Sequence, residues 1–165
     1  MLESCLNDLL PGRLVAPMAI GIMTVLLIAG CKSSTQGNPN LREGGLSGCP
    51  AFPNCVSTES TGDKHAIAPL TFAASPGDAL DCLKRVVTSM KRSTIVQVEA
   101  NYIHVEFRTL LGFVDDVELL VDDTNRTIRM RSASRLGYWD FGVNRGRVEE
   151  IRARFNHECG NKEEP

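Results

Sequence analysis

The stretch TIVQVEANYIHVEFRT, Thr94 to Thr109, decides the fold class. Ile103, Val105 and Phe107 alternate with His104, Glu106 and Arg108. A period of two gives a strand one apolar and one polar face. Thr94–Glu99 is β-branched and extended, and Ala100-Asn101 is a tight connection to the next strand. The two segments predict neighbouring antiparallel strands.

Downstream, the same period recurs twice. Val117, Leu119 and Val121 form the inward face of a third strand, opposite Asp116 and Glu118. Asp122-Asp123-Thr124-Asn125 turns the chain. Ile128 and Met130 then point inward, and Arg129 and Arg131 outward, on a fourth strand. Leu110, Leu111 and Phe113 are expected in a buried connection between strands, with an exposed partner contact as the alternative.

Upstream, Ser75-Pro76-Gly77-Asp78 reads as a helix start, with Ser75 as cap, Pro76 at the first helical position and Asp78 three residues on. Ala79, Leu80, Leu83, Val86, Val87 and Met90 recur at three and four, an amphipathic stripe. Lys91 and Arg92 suit its C-terminus. Asn144 is expected to cap a last helix with Val148, Ile151 and Phe155 on its apolar face and Glu150–Arg154 as a supporting pair. The expectation is an α+β domain: a four-stranded antiparallel sheet with two helices packed on one face, preceded by a disulfide-bridged irregular arm.

The 165 residues suggest one domain, and a formal net charge of -2 gives no overall field to gather nucleic acid or acidic membrane, so function is argued from local constellations. No nucleic-acid partner is expected. Leu14–Ile28 is an uncharged apolar run, too short for a bilayer span of about 20 residues. It leads into Ile28-Ala29-Gly30-Cys31, which resembles a bacterial lipobox. Residues 1–30 are therefore expected to be a lipoprotein signal peptide. Arg13 is its only early basic residue, against Glu3 and Asp8, and a translation start nearer Met18 would account for that. Residues 31–48 would be a lipidated Cys31 and a flexible tether rich in Ser, Gly, Asn and Pro, reaching about 20–25 Å. Residues 49–159 would be the domain and 160–165 a polar tail. The localisation expected is the cell envelope, periplasm-facing, with the membrane as partner through the lipid on Cys31. Lys32 in place of an aspartate points to the outer membrane if the cell is Gram-negative.

Cys5 leaves with the signal peptide and Cys31 carries lipid. Cys49, Cys55, Cys82 and Cys159 remain, an even set in an oxidising compartment. Cys49–Cys55 and Cys82–Cys159 are the expected disulfides. The pair Cys49 and Cys55 lacks zinc spacing, and His65, His104 and His157 show no metal pattern. Cys55 with His65 could serve as nucleophile and base only if the thiol were free.

The chemistry-bearing candidates crowd RSASRLGYWDFGVNRGR, Arg131–Arg147. Its arginines could grip a carboxylate or phosphate, since guanidinium forks bind these bidentately. They could instead bond Asp115, Asp116 and Asp140 within the domain, which is the preferred reading. Tyr138 and Trp139 are expected to anchor the loop on the core rather than to stack on a ligand. There is no G-x-S-x-G elbow, no His-Glu-x-x-His and no phosphate loop, so no catalytic residue, metal or cofactor is assigned.

CPAFPNCVST (Cys49–Thr58), HAIAPL (His65–Leu70), GFVDDVELLVD (Gly112–Asp122) and RSASRLGYWDFGVNRGRVEEIR (Arg131–Arg152) together resemble the family called domain of unknown function 1499. The resemblance spans about Cys49 to Phe155. It implies no activity, cofactor or catalytic residue. It does imply that Asp115, Asp116, Arg131, Ser132, Ser134, Arg135, Asp140, Asn144 and Arg145 belong to the defining motifs. These nine are the candidate ligand-binding residues. The first expectation is an envelope binding module whose groove over Asp116, Arg131, Arg135 and Asn144 takes a small anionic ligand or an envelope protein partner. An envelope hydrolase or transferase using Ser134, His65 or Asp115–Asp116 is the alternative, and a purely structural lipoprotein the third.

Overall fold

The computed structural model describes residues 41–42 and 45–160. The expected signal peptide, Cys5, Cys31, most of the tether and the end of the polar tail lie outside the described residues. The elements run β1 (Leu41–Arg42), β2 (Gly45–Leu46), β3 (Cys55–Ser57), β4 (Leu70–Thr71), α1 (Pro76–Ser89), β5 (Ser93–Glu99), β6 (Tyr102–Arg108), β7 (Val114–Asp122), β8 (Thr127–Ser134) and α2 (Val143–Cys159).

The main sheet is antiparallel in the order β3-β8-β7-β6-β5, with β4 also on β8. It has six strands, not the four expected. The two extra strands come from the arm. β3 lies along Arg131–Ala133 and β4 along Thr127–Ile128, so they share the edge of β8 in succession. They cover an edge that would otherwise expose unpaired backbone groups. At three and two residues they are too short to show a period.

α1 and α2 pack on one face of the sheet, as expected. Their stripes meet Ile103, Val105 and Phe107 of β6, Val117, Leu119 and Val121 of β7, and Ile128 and Met130 of β8 in one core. Ser75 caps α1: its Oγ accepts from the Asp78 amide at 3.1 Å, and Pro76 opens the helix. Both expected disulfides are present, Cys49–Cys55 in the arm and Cys82–Cys159 between the two helices.

The other face is not the open charged surface its alternation suggests. Leu46 packs with Tyr102 and Leu120 in a small second core. Leu46 falls within the expected tether, so the ordered chain begins earlier than residue 49. Gly45 sits against Arg129, where a Cβ would come within 2.7 Å of the guanidinium.

Candidate functional site

Eight of the nine candidate residues fall into two clusters on opposite faces of the sheet. Asp115 and Asp116 are consecutive on β7, so their side chains point to opposite sides. Register places Ser134 beside Asp115 and Arg131 beside Glu118.

On the helix side, the polar cluster extends the core toward one end of the sheet. Asn144 is fully buried at its centre. Its Oδ1 accepts from Ser132 Oγ at 2.5 Å and from Arg147 Nη1 at 3.1 Å. Its amide nitrogen is shared among Ser134 Oγ, Asp140 Oδ2 and the Asn54 carbonyl, each at 2.9 Å. Arg147 also donates to Asp115 at 2.8 Å and lies over the Phe107 ring at 4.7 Å. Ring face and carboxylate together hold the guanidinium.

Asn144 does not cap α2. The cap position is Gly142, whose φ of 79° is left-handed. Asp140 supplies the capping carboxylate, accepting from the amides of Gly142 at 3.0 Å and Asn144 at 2.9 Å. A capping side chain two residues before Gly142 frees Asn144 to turn inward. Sequence reasoning counted Arg147 among the loop's arginines but left it off the nine candidates, and it missed Asn54. Arg147 was legible as the residue one turn after Asn144 on the same helix.

On the outer face, Asp116 accepts from His104 Nε2 at 2.7 Å and from both Nε and Nη2 of Arg135 at 2.8 Å. Arg135 also reaches Glu106 at 2.6 Å. Burial pushes the Asp116 carboxyl upward, but hydrogen bonds from His104 and Arg135 and their charges outweigh it. The carboxyl is held well below the usual carboxylate range. Asp116 and Glu106 in turn fix Arg135 more firmly in its protonated form. Alongside, Glu118 is wholly buried between Arg131, at 2.8 Å, and the Tyr102 hydroxyl, at 2.9 Å.

Arg145 belongs to neither cluster. It donates to the carbonyls of Asp63, Lys64 and Ala66 in the arm, at 3.2 Å each. The hydrolase candidates do not converge. Ser134 faces Asn144, and His65 Nδ1 lies 3.0 Å from the Cys55 carbonyl. Among the described residues, no group of three His, Cys, Asp or Glu side chains could hold a metal ion.

A third feature was read the other way from sequence. Leu110 and Leu111, expected in a buried connection, are 86% and 83% exposed. Trp139, expected to anchor its loop, is 63% exposed, and Phe141 is 94% exposed. Tyr138 stacks edge-on against the exposed Phe52 of the arm, at 5.3 Å. The β6–β7 and β8–α2 loops meet at the same end of the sheet. Between them lies a cavity of about 360 Å³ lined by Leu111, Phe113, Leu136, Trp139 and Phe141, with Asp115 and Ser134 also in its wall. Phe141 holds a φ of 53°. That conformation costs a β-carbon-bearing residue about 1–2 kcal/mol, yet here it displays an aromatic ring to solvent.

A family described as a protein of unknown function, DUF1499, matches residues 45–155, taking in both polar clusters and both loops. The chain belongs to this family. No curated protein and no solved structure matches it. In this DUF1499 domain the candidate arginines are turned onto the protein's own acids and carbonyls, while apolar side chains of the two loops face out.

Proposed function

We propose that the domain is a non-catalytic binding module of the cell envelope, held there through a lipid on Cys31, and that its contact surface is the apolar loop end. The observation that carries this reading is the exposure of Leu110, Leu111, Trp139 and Phe141 on two loops that are fastened from beneath. Single exposed apolar residues are ordinary, but a contiguous set around a cavity marks a contact site. The Asp140–Asn144–Ser132 network and the Arg147–Asp115 pair give those loops a fixed base. An anionic ligand at Arg135 would have to displace Asp116, which already fills that guanidinium fork, and one at Arg131 would meet the buried Glu118 carboxylate that holds its Nη1. The polar groove is therefore a weaker contact site than the apolar end.

The test uses Trp139, the only tryptophan in the chain. Anilinonaphthalene sulfonate should bind the folded protein saturably and take excitation energy from Trp139. Leu111→Asp and Phe141→Asp should abolish that transfer while leaving the melting midpoint in place, because both side chains are exposed. Absence of dye binding by the folded wild type would refute the reading, as would equal binding by the two variants.

A further inference from the structure

Beside the apolar cavity runs a second groove of about 880 Å³. Lys91, Arg92, Arg108, Arg147 and Arg154 line it, with Glu150 as the single carboxylate. Glu150 is answered by Arg154 at 2.8 Å, Arg147 by Asp115 at 2.8 Å and Arg108 by Glu106 at 3.0 Å. Lys91 and Arg92 are both exposed and form no ion pair among the described residues. Thr109, Leu111 and Val143 line both this groove and the apolar cavity. A trough with two uncompensated cations, Lys91 and Arg92, thus runs directly into an apolar pocket.

We infer that this end of the domain docks on an anionic lipid bilayer, with headgroups in the Lys91–Arg92 groove and Leu110, Leu111, Trp139 and Phe141 in the acyl boundary. The inference rests on the binding-module reading above and names its partner. Apolar and aromatic tips flanked by lysine and arginine match the layering of a bilayer interface, where tryptophan sits at headgroup depth and cations meet anionic lipid. A second copy of the chain fits less well. A two-fold interface uses the same patch on both partners, which would bring Lys91 and Arg92 of each copy onto one rim. The lipid proposed on Cys31 would hold the same chain at a membrane surface.

The full chain is reconstituted with vesicles whose acyl chains are brominated near the headgroup, so that only a tryptophan at that depth is quenched. Trp139 should be quenched in vesicles containing phosphatidylglycerol and far less in phosphatidylcholine alone. Lys91→Gln with Arg92→Gln should lower the docking equilibrium by about thirtyfold, the effect of removing two interfacial cations. Leu110→Asp with Leu111→Asp should remove the quenching. These four side chains are exposed, so unchanged melting midpoints should confirm that the variants fold.

Unquenched Trp139 in anionic vesicles overturns the inference, and so does equal quenching in neutral ones. Two further results overturn it by naming another occupant. A full Trp139 response to glycerol phosphate alone would make the ligand a soluble anion. Concentration-dependent burial of Trp139 without lipid would make it a second copy. If the dye binds at Trp139 but vesicles do not, the membrane fails and the binding module stands. If neither binds, both fail.

Discussion

At Arg147 the guanidinium is 10% exposed and meets an Asp115 carboxylate that is 4% exposed; at Arg135 the guanidinium is 45% exposed. Those surroundings decide what each charge contributes. Truncating Arg147 leaves Asp115 buried and unpaired, which costs about 3–5 kcal/mol. Arg147→Ala should therefore lower the melting midpoint by about 10–20 °C. Arg135→Ala removes a half-exposed, solvent-screened partner, Asp116 keeps His104, and the loss should cost about 1 kcal/mol, a shift of a few degrees. Thermal unfolding by circular dichroism compares the two, and equal losses would sink this assignment. Asp116 carries a pH signature. Its carboxyl lies below the unfolded value of about 3.9, so its contribution is complete above that pH and is lost as pH falls toward the folded value. The midpoint gap between wild type and Asp116→Asn should be open at about pH 6 and close on acidification through about pH 4 and below. A gap that widens in acid would mean the carboxyl is not stabilised by His104 and Arg135.

The arm from Asp63 to Ala74 has little regular structure, and arginines take the place of a ladder. Arg145, Arg152 and Arg126 donate in turn to carbonyls at 63–66, 68–69 and 73–74. Apart from Ala66 these carbonyls belong to exposed residues, so the guanidiniums fasten the arm to the domain rather than satisfy buried groups. Arg145→Ala should loosen the arm locally without unfolding the sheet. Trypsin should then cut after Lys64 about tenfold faster, with little change in the midpoint. An unchanged cleavage rate would mean that the Ser57–His65 and Ser57–Ile67 backbone bonds hold the arm alone. The elements that sequence made legible, α1 and β6 to β8, bury one face over several residues, and burial imposes a period. β3 and β4 are too short to carry one. The same alternation sets Asp115 and Asp116 on opposite faces, so the division of the site into two clusters was legible in the strand period itself. The misplacement of Leu110, Leu111 and Trp139 has another cause. Apolar side chains in loops usually turn inward, and no local pattern marks those that do not.

Across the whole domain, the two disulfides act at different ranges. Cys49–Cys55 joins residues 6 apart and pins the arm to β3. Cys82–Cys159 joins residues 77 apart and ties α1 to the end of α2. A crosslink stabilises chiefly by restricting the unfolded chain, and the restriction grows with the loop it closes. The long bridge should contribute about 4–5 kcal/mol and the short one about 2 kcal/mol. Cys82→Ala with Cys159→Ala should therefore lower the melting midpoint roughly twice as far as Cys49→Ala with Cys55→Ala. The long bridge lies at the C-terminal end of α2, away from the loop that carries Trp139, so dye transfer from Trp139 below the lowered midpoint should survive its loss. The short bridge holds the arm whose Asn54 carbonyl meets Asn144 and whose Phe52 meets Tyr138. Its loss should weaken that transfer although it costs less stability. If instead both variants lose stability and transfer in proportion, the loop end is held by the global fold alone, and the arm has no separate part in presenting it.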